Sequence, residues 1–153
     1  ASISFGNSLI KQVAADLSTE LAGLSTFVTL SPIPGLTKWL GEQGIAWDAE
    51  DAGAMRALAA HYLLTAKSKG DLPYDPVARF HLGNGARVHA VHAGADISDK
   101  GIAQSGGAMV NYLYDLGEVA QNHERFATTR EIAASPEVQA LAGKAALTTT
   151  DQR

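Results

Sequence analysis

Apolar residues recur at Leu9, Ile10, Val13, Leu17 and Leu21, with Lys11, Gln12, Asp16 and Glu20 pointing away from them. That is one face of a helix at the spacing of three to four residues. Asn7 stands where an N-cap belongs, and Gly23 is a reasonable stop. Ahead of this helix, Ala1-Ser2-Ile3-Ser4-Phe5 predicts a short strand ended by Gly6. Behind it, residues 24–30 carry Phe27, Val28 and two threonines, a β composition. Strand, helix and strand in so short a stretch predict a βαβ unit with parallel neighbours. Ser31-Pro32-Ile33-Pro34-Gly35 ends the second strand, because proline has no N–H for a ladder and restricts the residue before it.

Leu36, Trp39 and Leu40 predict a short helix closed by Gly41 or Gly44. Residues 48–69 are rich in alanine and leucine, and Met55, Leu58, Ala59, Tyr62 and Leu63 form a second helical stripe. From Val77 the period changes to two. Val77, Arg79, His81 and Gly83 alternate with Ala78, Phe80 and Leu82, and Asn84-Gly85 is a strong two-residue turn signal. The pattern predicts a hairpin whose return strand covers residues 87–95. Residues 102–107 read as a glycine-rich loop feeding a helix that contains Met109, Tyr112, Leu113 and Leu116. Ser135-Pro136-Glu137 reads as the capped start of a last short helix. Residues 148–153 have no apolar content and are expected to fray. The fold class that follows is α/β (α+β), a mixed sheet with flanking helices, with one domain over residues 1–147.

Composition narrows the function classes. The chain of 153 residues is 46% hydrophobic and 18% charged, enough apolar content for a core. A formal net charge of −4 argues against nucleic acid or an anionic membrane surface as a partner. No apolar run reaches the length of a membrane span, and no targeting pattern stands at the N-terminus, so a cytoplasmic setting is expected. The absence of cysteine removes disulfides, thiolate metal sites, iron–sulfur clusters and a cysteine nucleophile.

The candidate sites each have a plainer alternative. Gly6-Asn7-Ser8 lies at a strand-to-helix turn, where free N–H groups and the helix dipole suit a phosphate; an ordinary capped helix would look the same. Ser31 sits at the carboxyl edge of a strand, where open α/β sheets place ligands, or it is simply a turn residue before proline. His81, His89 and His92 invite a metal site, but the predicted hairpin pairs His81 with Val88 and Phe80 with His89, so His81 and His89 face opposite ways. His92 shares the face of His81 but lies four residues beyond Val88, and on that geometry a metal cluster is rejected. His61 and His123 stand alone, and Tyr112 and Tyr114 either supply a phenol or pack.

Several of these strings together resemble malonyl-CoA decarboxylases. They are Ile3-Ser4-Phe5-Gly6-Asn7 with Leu9-Ile10-Lys11, Thr29-Leu30-Ser31-Pro32-Ile33-Pro34-Gly35 with Thr37-Lys38-Trp39-Leu40, Asp75-Pro76-Val77-Ala78-Arg79-Phe80-His81-Leu82-Gly83-Asn84-Gly85-Ala86, and the stretch from Gln104-Ser105 to Tyr112-Leu113-Tyr114-Asp115-Leu116. The resemblance runs in order from about residue 3 to 126. It implies a domain similar to the GCN5-related acyltransferases, with the pyrophosphate of coenzyme A seated at Gly6, Asn7, Ser8 and Leu9. It also implies a catalytic pair of Ser31 and His81, with Tyr114 nearby. Many animal members have a glutamate near Ser4, so any role of that carboxylate is missing or filled otherwise. Members of the family also carry a long helical N-terminal domain used in assembly, so the resemblance makes this chain a C-terminal catalytic half, cut before Ala1, of a homo-oligomeric protein.

The activity so implied is decarboxylation of malonyl-CoA to acetyl-CoA and CO2, a step that sets malonyl-CoA levels in fatty-acid metabolism. Coenzyme A enters only as part of the substrate, and no metal or redox cofactor is implied. His81 is the expected proton donor, and Ser31 would bind the malonyl carboxylate or orient His81. The alternatives are an acyltransferase on the same fold and a non-catalytic acyl-CoA-binding or assembly module.

Overall fold

The computed structural model of the chain describes Gln12 and residues 25–150. The strand, the phosphate-suited turn and the amphipathic helix expected in residues 1–24 lie outside the described residues, Gln12 excepted. So do residues 151–153.

A three-stranded sheet organises the rest. Its strands are β1 (Thr26–Pro32), β2 (Arg87–His92) and β3 (Met109–Asp115), in the order β1-β3-β2. β3 is central and both pairings are antiparallel. The register sets Phe27 opposite Tyr114, Thr29 opposite Tyr112 and Ser31 opposite Val110. Because strand side chains alternate, these six share one face. Val88 and Val91 of β2 join it, opposite Tyr112 and Val110, and a register shift between Val88 and Ala90 sets His89 apart from the ladder.

Among residues 25–150, six α-helices surround the sheet: α1 (Leu36–Glu42), α2 (Ala52–Thr65), α3 (Pro76–Gly83), α4 (Asp99–Ser105), α5 (Val119–Thr129) and α6 (Pro136–Gly143). The core contains Ile33, Leu36, Leu40, Met55, Tyr62, Leu63, Leu82, Val88, Val110 and Tyr112, from β1 through β3. α2 packs on α6 and β2, and α3 on α5 and β2. The stripe read over residues 48–69 is α2, started by Asp51, whose Oδ1 accepts from the Ala54 N–H at 3.1 Å. Ser135 starts α6 in the expected way, accepting from the Val138 N–H at 3.2 Å.

Three expectations are corrected. Residues 76–83 form helix α3 rather than the first arm of a hairpin. Asp75 caps it and Pro76 occupies the first turn, a start signal that outweighs the alternation after Val77. Asn84-Gly85 is then the exit from a helix, not a two-residue turn between strands. Gly85 has φ +90, and a Cβ there would run into the Val119 carbonyl of α5. Only glycine meets both demands.

Most of residues 102–107, expected as a loop, belongs to α4 (Asp99–Ser105), capped by Ser98 at the Gly101 N–H and closed by Gly106 at φ +61. The glycines read as a loop are the left-handed stop of a helix. The segment with Met109, Tyr112 and Leu113 is strand β3, not a helix; the buried set Val110, Tyr112 and Tyr114 has period two. At the start of the tail, the Ala46 N–H donates to the Thr148 carbonyl at 2.8 Å, and the Thr150 N–H to the Gly44 carbonyl at 2.7 Å.

Candidate active site

Ser31 is the penultimate residue of β1, and His81 lies in the last turn of α3. Both are buried, Ser31 at 5% and His81 at 9% exposure. Their side chains meet: Ser31 Oγ and His81 Nε2 are 3.2 Å apart. The other ring nitrogen, Nδ1, is 2.5 Å from the Tyr114 hydroxyl on β3. Thr29, two residues before Ser31 on the same strand face, brings its hydroxyl to 3.4 Å from Ser31 Oγ.

Aromatic rings fix the imidazole. Tyr112 stacks on it with centroids 4.4 Å apart and planes 19° from parallel. Phe80 meets it edge-on at 5.1 Å and is itself 49% exposed. Tyr114 in turn stacks on Phe27 at 4.8 Å and 7°. The strand register explains these contacts, since Phe27, Thr29 and Ser31 on β1 and Tyr112 and Tyr114 on β3 line the sheet face that receives α3.

Electrostatics follow from burial. Desolvation lowers the His81 pKa from 6.5 to about 4, so the ring is neutral at physiological pH. The same cause raises the Tyr114 phenol, which stays protonated. Neutral imidazole has one donor and one acceptor nitrogen. With Tyr114 donating to Nδ1, Nε2–H points at Ser31; with Nδ1–H donating to Tyr114, Nε2 accepts from the Ser31 hydroxyl. In both, Ser31 and His81 present a paired donor and acceptor to whatever lies beside them.

The structure therefore brings together Ser31, His81 and Tyr114. The candidate phosphate seat at Gly6, Asn7, Ser8 and Leu9 lies outside the described residues. His81 sits on a helix, whereas His89 and His92 lie in or beside β2, so the hairpin argument that separated the three histidines does not describe them. The His123 ring hydrogen-bonds the Gly83 carbonyl at 2.7 Å, and the His61 ring lies 5.9 Å from that of Trp39. Tyr112, left open between packing and chemistry, packs on the catalytic candidate itself, and its buried hydroxyl has no hydrogen-bond partner.

Two neighbours escape the sequence reading. Phe27 enters it only as strand composition. Asp75 enters it only within a family string, although Asp followed by Pro is a helix-start signal that sets His81 on a helix.

Comparison with known proteins bears on the family of the chain. The family model described as "Malonyl-CoA decarboxylase C-terminal domain" matches residues 1–52 and 46–152. The chain is 32% identical to the mitochondrial malonyl-CoA decarboxylase of Anser anser anser over 181 aligned positions, which cover 89% of this chain and 36% of that protein. It is 31% identical to the mitochondrial malonyl-CoA decarboxylase of Rattus norvegicus, across 91% of this chain and 37% of that one. Among solved structures, the malonyl-CoA decarboxylase of Rhodopseudomonas palustris superposes with a TM-score of 0.81 at 42% identity, over 90% of this chain and 38% of that one. That of Agrobacterium vitis gives 0.79 at 41% identity, over 91% and 41%. The chain thus spans little more than a third of the length of the curated relatives it matches. By the near-complete match of its sequence to that domain, the chain belongs to the malonyl-CoA decarboxylase C-terminal domain family.

Proposed function

We propose that this chain carries the catalytic site of a decarboxylase that converts malonyl-CoA to acetyl-CoA and CO2, thereby setting malonyl-CoA levels in fatty-acid metabolism. The observation that carries the proposal is the buried His81 ring engaged at both nitrogens, by Ser31 at 3.2 Å and Tyr114 at 2.5 Å, inside a domain of this family.

The chemistry needs few groups. Loss of CO2 leaves a thioester enolate, so the barrier falls if the oxyanion finds a preorganised donor and if water is kept from the carboxylate. Ser31 Oγ and His81 Nε2 form that polar pair, and Tyr112, Phe80 and the Phe27–Tyr114 stack supply an apolar surround. One proton must then reach the α-carbon. Burial holds the His81 pKa at about 4, so the ring by itself is neutral. The negative charge of a bound malonyl carboxylate, or of the enolate formed from it, opposes that effect and favours the protonated ring. Substrate therefore charges its own acid. His81 gives the proton from Nε2 to the α-carbon, and Tyr114 holds Nδ1 in place. The step requires neither a metal nor a redox cofactor, and coenzyme A takes part only as substrate.

Further elements of the reading rest on family likeness. They are an acyltransferase-like fold resembling the GCN5-related enzymes, a pyrophosphate seat at Gly6, Asn7, Ser8 and Leu9, a homo-oligomeric protein and a cytoplasmic setting. Among the described residues no helix is long and apolar enough to cross a membrane. The deciding experiment incubates the natural protein carrying this chain with malonyl-CoA, with and without an acceptor amine, and follows acetyl-CoA and CO2. Release of both without the amine supports decarboxylation; malonyl transfer to the amine supports the acyltransferase alternative; tight binding without turnover supports a non-catalytic module.

A further inference from the structure

Asp75 is a buried carboxylate, 2% exposed, that the proposed chemistry does not use. Its two oxygens face different parts of the fold. Oδ2 accepts the N–H groups of Val77 at 3.1 Å and Ala78 at 3.0 Å, the start of α3. Oδ1 accepts the Gly35 N–H at 3.2 Å and the Tyr62 hydroxyl at 2.9 Å. Gly35 closes the Ser31-Pro32-Ile33-Pro34-Gly35 string, and His81 stands in the last turn of the helix that Asp75 caps.

We propose that Asp75 is a positioning residue that clamps the turn following Ser31 to the helix bearing His81, and so sets the distance between the two. The consequence for catalysis rests on the decarboxylase reading; the clamp itself does not.

An N-cap alone does not call for this residue. Serine or threonine caps a helix about as well as aspartate and without a buried charge. Burial pushes the Asp75 carboxyl up against the opposing pull of its four hydrogen bonds, so the charge is held at a cost. What aspartate adds is a second oxygen for a second element. The approach at Gly35 is close: any Cβ there would collide with the Tyr62 hydroxyl and press on the Tyr74 ring. Tyr62 is itself wedged against Trp39 and Tyr74, at centroid distances of 5.6 Å and 5.9 Å. The joint is therefore rigid from three sides. Geometry of this kind matters because a misplacement of about 1 Å between reacting groups can cost about a hundredfold in rate.

Two variants separate the clamp from the cap. In Asp75→Asn, the remaining carbonyl oxygen keeps two of the four donors, Val77 and Ala78, and the Tyr62 hydroxyl can turn to accept from the new amide. The bond to Gly35 is lost. Asp75→Ser keeps a capping oxygen but is too short to reach across. In the natural protein, both variants should keep the far-UV signal and the hydrogen-exchange protection of the α3 amides. Both should lose protection at the Gly35 amide, with kcat for malonyl-CoA down about tenfold to a hundredfold and KM within about twofold. Folded variants with wild-type kcat and an unchanged Gly35 amide overturn the clamp. Should neither variant fold, the wild-type protein decides: the Gly35 amide shift must follow the titration of the Asp75 carboxyl carbon, and independence of the two overturns it. If wild-type protein releases no CO2, the decarboxylase reading fails by itself, and Gly35 exchange still judges the clamp.

Discussion

Ser31 and His81 stand fifty residues apart in the chain and 3.2 Å apart at their side-chain tips. The two are delivered by different kinds of element, a strand end and a helix end, and each is held from behind. β3 backs both: its Val110 pairs with Ser31, while its Tyr112 and Tyr114 contact the His81 ring.

Removing the imidazole should abolish most turnover. For His81→Ala in the natural protein, kcat is expected to fall by about a hundredfold or more, the usual scale for a lost general acid. Steady-state release of CO2 measures it, and a near-normal kcat would take His81 out of the chemistry.

Tyr114→Phe tests the second nitrogen. The ring stack on Phe27 at 4.8 Å survives, but Nδ1 loses its partner in a buried site. We expect kcat to fall about tenfold or more with KM little changed, because the phenol holds the imidazole rather than the substrate. An unchanged kcat would show that Tyr114 only packs.

The ionisation of His81 should respond to substrate charge. By NMR the free protein should show a His81 pKa near 4, and a non-reactive anionic malonyl-CoA analogue should raise it. A value that stays put on binding would refute substrate-induced protonation.

Stability should depend on pH through the same group. With a folded pKa of about 4 against 6.5 unfolded, the unfolded chain binds the extra proton between those values. The contribution is therefore fully present above pH 6.5 and is lost as pH falls toward 4. At about 1.4 kcal/mol per unit, the loss amounts to about 3 kcal/mol. Urea melts across this range, compared with His81→Asn, isolate the slope; equal slopes for the two proteins would contradict it.

Gly85→Ala should weaken the fold without touching the site chemistry directly. Its φ of +90 and the Val119 carbonyl in the way predict a loss of about 1–3 kcal/mol. A urea midpoint equal to wild type would mean that α5 moves aside freely.

Much of this was legible along the chain. The strand ending in Ser31, the helices started by Ser135 and by the residues after Pro34, and the long alanine-rich helix all follow from local rules: β-rich composition, proline without an N–H, caps and helical stripes. The strings shared with the family mark Ser31, His81 and Tyr114 without any geometry. Residues 76–86 show where local rules compete. Alternation and Asn84-Gly85 point to a hairpin, whereas Asp75-Pro76, a helix start which that reading passes over, points the other way, and both patterns are short. The contacts that decide between them are not local: Asp75 is held by Gly35 and Tyr62, and Gly85 is pressed against α5.

The sequence by itself determined most element starts, because caps, prolines and apolar periods act within a few residues, and its family strings singled out Ser31, His81 and Tyr114 as candidates. Only the tertiary structure decided that His81 rides on a helix, that β3 is a strand at the centre of the sheet, and that the imidazole lies between Ser31 and Tyr114. Those outcomes depend on contacts between residues thirty to fifty positions apart. The lowered pKa of His81 depends on them too, since it arises from burial beneath rings contributed by separate elements, and no local pattern in the chain encodes how much water a side chain will lose.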